Sequence, residues 1–212
     1  MKKVYFIILL VNVSLQAQEW KVAEKSVTGV FDVNKTKSEL FALINKWISI
    51  NYNSAQNVIQ MNDAESGTII IKGINEVVYS NLPAKVLQPN SKYVLEKTST
   101  KFNHTIEVNI KDNKFRVVYT LTDAISPNPA GDIFASYFFN SVNLTGENTE
   151  ALKAYNDETE KYLKQGLIGK EKREKYKQAM VEMFTELNKT IVENMKITMM
   201  SIEKSAKTED KW

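Results

Sequence analysis

Apolar and polar residues alternate early in the chain. Val27, Gly29, Phe31 and Val33 take turns with Thr28, Val30 and Asp32, which predicts one strand over residues 20–33 with a buried face. Thr36-Lys37-Ser38-Glu39 then has the form of a capping box, in which Thr36 accepts from a backbone N–H and Glu39 reaches back. Behind it Leu40, Phe41, Ile44, Trp47 and Ile48 fall on one stripe, predicting a helix from about 37 to 50. Asn57–Met61 and Thr68–Lys72 flank a polar turn that ends in Gly67, a predicted hairpin. Residues 74–99 are expected mainly as loop, with Val77–Tyr79 and Tyr93–Leu95 as short strand candidates between Pro83 and Pro89.

A second hairpin follows, with a plainer alternation. Ile106, Val108 and Ile110 face one way, Asp112-Asn113 makes the turn, and Phe115, Val117, Tyr119 and Leu121 return. One face is apolar and the other mostly polar, as suits an antiparallel sheet covered on one side. Pro127 and Pro129 end it, and Asp132 is expected to cap a short aromatic turn over Ile133–Phe139. Two helices remain, about 149–165 and 170–206. In the second, Met180, Phe184, Leu187, Ile191, Met195, Met199 and Ile202 step by three or four, which makes a Met-rich apolar face.

Three stretches carry a resemblance. They are Ser38-Glu39-Leu40-Phe41 leading to Trp47-Ile48; Val58-Ile59-Gln60 with Asp63 to Ile69 and Lys72-Gly73; and Ile106 to Asp112 with Lys114-Phe115-Arg116. Together they resemble a family of exported bacterial domains of unknown function with a TATA-binding-protein-like (TBP-like) fold, over about residues 25–125. Asn113 stands where the family leads one to expect Gly, a small departure because Asn also tolerates positive φ. The resemblance implies a curved antiparallel sheet with helices on one side and a cell-envelope address. It brings no activity and no catalytic residues. The expected fold is therefore α+β: a curved antiparallel sheet of about five strands with a packed helix, followed by a C-terminal helical region. In chain order this gives a signal peptide at 1–17, a TBP-like domain at 18–125, a loop with an aromatic segment at 126–148, and C-terminal helices at 149–212.

The N-terminus supplies the address. Lys2 and Lys3 precede an apolar run from Val4 to Val13, and Ser14 and Ala17 place small residues three apart before Gln18. That is the layout of a cleavable signal peptide, and the run is too short to span a bilayer. The protein is expected to be exported, periplasmic or at the cell surface. With no Cys in the chain, neither a Cys lipid anchor, nor a disulfide, nor thiol chemistry is possible. The formal charge of +3 falls near +1 without Lys2 and Lys3, a poor basis for nucleic-acid binding.

Candidate chemistry is sparse. His104 is the lone histidine and is expected on the surface. Asp63 and Glu65 imitate half a calcium loop, but Ile74 holds the twelfth position, where an acidic ligand belongs, so no metal and no cofactor is expected. Glu107, Asp112, Asp123 and Asp132 are acids without distinguishing context for paired-carboxylate hydrolysis. Lys161–Lys177 is rich in Lys and Arg, yet Glu171 and Glu174 are interspersed, so it is expected as a solvated helix face. Phe134, Tyr137, Phe138 and Phe139, with Met195 and Met199, are the candidate contacts to a ligand or partner. The expectation is a non-catalytic binding or interaction module of the bacterial cell envelope, for an unknown envelope ligand or protein, with at most peripheral membrane contact. The alternatives are an envelope hydrolase using paired carboxylates, or a membrane- or partner-binding helix presented by a structural domain.

Overall fold

The computed structural model describes residues 19–126, 132–147 and 149–208, so the expected signal peptide at 1–17 lies outside the described residues. The extended run at its start is not one strand but two. β1 (Trp20–Val22) pairs antiparallel with β2 (Ser26–Asp32), and the chain reverses over Ala23–Lys25. Gly29 permits the pairing, because a Cβ there would stand 2.8 Å from the Trp20 indole. α1 (Lys37–Asn51) begins with both arms of the capping box in place. Its Leu40, Ile44, Trp47 and Ile48 are buried.

One short turn of helix, α2 (Ala55–Val58), leads into β3 (Ile59–Asp63). The Asp63 carboxylate accepts from the N–H groups of Glu65 and Ser66, so these acids are turn residues. Gly67 is required at this turn: its φ is 74°, and a Cβ would lie 2.5 Å from the Ile110 carbonyl oxygen. β4 (Thr68–Ser80) then runs far past its expected end at Lys72. The alternation is masked because Ile74 and Val78 are apolar yet face solvent, while Val77 and Tyr79 enter the core. α3 (Leu82–Leu87) occupies ground expected as loop, and Pro83 sits in its first turn, where its missing N–H costs nothing. Tyr93–Leu95 forms no strand. β5 (Lys97–Lys111) and β6 (Lys114–Ile125) make the second hairpin, with Asn113 at φ 63° in its turn.

The strand order is β1-β2-β6-β5-β4-β3, a curved and unclosed sheet that is antiparallel throughout, with six strands where about five were expected. The sixth comes from the division of residues 20–33. α4 (Asp132–Ser141), α5 (Glu150–Gln165) and α6 (Lys170–Lys207) complete the chain. With 38 residues, α6 is about 57 Å long at 1.5 Å per residue. Phe31, Ile71, Phe102, Ile106, Val117 and Tyr119 line the inner face of the sheet. α1 and the apolar stripe of α6 close over them, so one core crosses from the N-terminal domain into the C-terminal helices.

Lys25 fastens α4 to this core. Its ammonium donates to the carbonyls of Phe139 and Val142 at the helix C-terminus and lies 4.5 Å from the Phe139 ring centroid. Burial lowers its pKa to about 8, against a smaller raising effect of Glu24, so it remains charged at neutral pH. Backbone bonds from Leu144 N–H to the Glu24 carbonyl and from Leu121 N–H to the Lys25 carbonyl complete the joint.

Candidate functional site

A groove of about 950 Å³ runs between α3 and the first turns of α6. Leu82, Val86, Pro89 and Ala179 supply apolar surface, while Lys85, Lys170, Lys172 and Lys175 supply cations. Lys172 Nζ donates to the Leu87 carbonyl at 2.6 Å, so the start of α6 caps the end of α3. Glu171 and Glu182 also border the groove, but Glu171 is held by Lys175 at 2.7 Å. The result is an amphipathic trough with a cationic surplus.

Most of the basic run Lys161–Lys177 is engaged inside the protein. Glu160 on α5 takes Lys164 and Lys177 at 3.1 Å each and Arg173 at 3.5 Å. Hydrogen bonds from Lys164 and Lys177 hold its carboxyl down at about 2. This cluster fixes α5 to α6, while Lys172 and Lys175 at the groove are held by the Leu87 carbonyl and by Glu171.

His104 is not on the surface. It is 4% exposed, and its ring lies 4.7 Å from the Tyr119 ring, beneath the C-terminal end of α1. Its Nε2 is 3.4 Å from the Tyr52 hydroxyl, and its Nδ1 has no partner among the described residues. Burial lowers its pKa to about 4 and raises that of Tyr52 to about 12. Tyr119 is pushed higher still by burial, although Asn75 bonds its hydroxyl. Opposite His104 across the strand pair stands Gly73, where a Cβ would be 2.8 Å from Nε2. The signal in the sequence was phase: carrying the alternation of Ile106 and Val108 back two places puts His104 on the apolar face.

The five candidate contacts with described side chains do not meet at one surface. Met195 and Met199 have no accessible surface and face the sheet, because that face must be covered and α6 covers it. Phe138 packs 5.0 Å from Phe184 and 6.4 Å from Phe102, and Phe139 lies under Lys25. Tyr137 is 45% exposed. The side chain of Phe134 lies outside the described residues.

The four acids considered for hydrolysis stand at separate places. Glu107 is in mid-β5, 4.0 Å from Arg116, and Asp112 accepts the Lys37 N–H at 2.7 Å. Asp123 accepts from the Ala124 N–H near the end of β6, and Asp132 opens α4. Among the described residues no cluster of His, Asp and Glu is placed to hold a metal ion, and no helix is long and apolar enough to cross a membrane. The groove was missed in the sequence because Leu82–Leu87 was expected as loop. Its legible signal was a proline at the first turn of a short helix.

Comparison with known proteins gives a fold, and a family model that matches part of the chain. Residues 28–123 match the model of a domain of unknown function (DUF4468) with TBP-like fold. A DUF4468 family protein from Bacteroides ovatus ATCC 8483 is similar in structure, with a TM-score of 0.52 at 13% identity, over 89% of this chain and 90% of that one. A TBP-like protein from Parabacteroides distasonis ATCC 8503 aligns with a TM-score of 0.44 at 16% identity, over 87% and 94%. No functionally curated protein matches the sequence.

Proposed function

We propose that the protein, whose residues 28–123 match the model of a DUF4468 domain with TBP-like fold, is a non-catalytic binding module of the bacterial cell envelope. The groove between α3 and α6 is its ligand-facing surface. The observation that carries the reading is the composition of that groove: apolar walls from Leu82, Val86 and Ala179 under a lysine-rich rim. An open trough with few convergent polar groups suits retention of a ligand better than chemistry upon it. Phe138 and Phe139 of α4 and the stripe of α6 are used in packing, which turns the reading to this groove.

Native mass spectrometry of the protein purified from its own envelope tests the reading. A bound species of reproducible excess mass is expected, and it should be lost in Gln178→Trp, which fills the groove from its exposed wall. A bare chain, or an adduct that survives Gln178→Trp, would sink the proposal.

A further inference from the structure

Beyond the groove itself, three large apolar side chains are strongly exposed in the two loops that border it. Tyr93 is 83% exposed and Leu95 71%, both in the loop 88–96, while Leu167 is 93% exposed in the turn between α5 and α6. The two loops are neighbours, because Pro89 of one and Gly169 of the other line the same groove. Neither loop gains from these residues in the way a core gains from its own. Leu167 also sits at φ 58°, a left-handed backbone conformation that Gly or Asn adopts far more readily. Strain and exposure at one position both act against stability, so the leucine is better explained by something outside the fold.

We propose that these loops dock on an anionic lipid bilayer, with Tyr93, Leu95 and Leu167 entering the interface and the surrounding lysines meeting the head groups. Two observations select a bilayer over a protein partner. The apolar side chains stand on separate loop tips instead of forming one flat patch, and a fluid phase can close around each, whereas a protein interface needs continuous complementary area. The charge is also right. Lys85 and Lys170 line the groove, and Lys92 Nζ lies 5.2 Å from the Tyr93 ring centroid, so a cation and an aromatic are presented together. That pairing places an apolar body inward and a charged tip at head-group level.

The docking surface uses the loops and the lysine rim of the groove but not its wall at Gln178, so Gln178→Trp separates it from the ligand reading. The chain from Gln18 onward, which contains every described element, is sedimented with vesicles of phosphatidylcholine alone or mixed with phosphatidylglycerol. Binding to the mixed vesicles alone is expected, weakening as salt is raised. The triple variant Tyr93→Ser, Leu95→Ser, Leu167→Asn should bind roughly tenfold or more weakly while its melting temperature is unchanged or raised. Lys85→Glu with Lys170→Glu should remove the preference for phosphatidylglycerol, and Gln178→Trp should leave vesicle binding as it was. Absence of binding, equal binding to both vesicle types, or full binding by the triple variant would overturn the proposal.

Discussion

His104 is the residue at which burial and chemistry conflict most. A neutral imidazole suits its apolar surroundings; an imidazolium there would have one ring N–H without an acceptor. Its folded pKa of about 4 lies below the ordinary 6.5, so the unfolded chain takes up the proton first as pH falls. Stability from this group is therefore complete above pH 6.5 and is lost progressively as pH drops through 4, by up to about 3 kcal/mol. Urea unfolding at pH 7.5 and pH 4.5 should show this loss, and His104→Phe should flatten it. An unchanged pH profile in that variant would mean the acid sensitivity lies elsewhere. The sequence alone named this residue but not its setting, because the alternation was followed only from Ile106. Gly73 was equally silent: its meaning depends on a partner thirty-odd positions away, and no local pattern encodes that.

Among the elements, those with strong local signals were legible and those ordered by their neighbours were not. α1 has a cap, an acid at its third position and an unbroken apolar stripe, and it forms where expected. β4 has Gly73, Ile74 and Val78 disturbing its period, and only pairing with β5 along its length holds it extended. α3 is a six-residue helix that local propensity could hardly stabilise alone, and it exists because it packs on α6. The same contrast should appear in energies. Thr36→Ala removes a surface cap and should cost about 1 kcal/mol. Leu187→Ala empties a fully buried site between α6 and the sheet and should cost about 3 kcal/mol. Chemical denaturation of both variants measures the difference; comparable losses would mean that α6 contributes far less to the core than its burial indicates.

For the molecule as a whole, the decisive fact is that the C-terminal helices share the core of the sheet. Met180, Phe184, Leu187, Ile191 and Met195 belong to the same buried cluster as Val27, Ile44 and Ile106. Circular dichroism, weighted to the helices, and tryptophan fluorescence of a Trp212→Phe variant, which reports Trp20 and Trp47, should follow one coincident thermal transition. Two separated transitions would mean that the helices melt as their own unit. That unity was the least readable feature of the sequence, since the boundary near residue 125 is obvious in composition while contacts across it leave no mark. The position of α6 after all six strands also fixes an order of events. Whenever the chain emerges N-terminus first, from a ribosome or through a pore, all six strands and α1 are out before the α6 part of their cover is made. The part of the inner face that α6 covers then stays bare until its stripe from Met180 to Ile202 arrives, so a truncation ahead of α6 leaves a complete sheet without that cover.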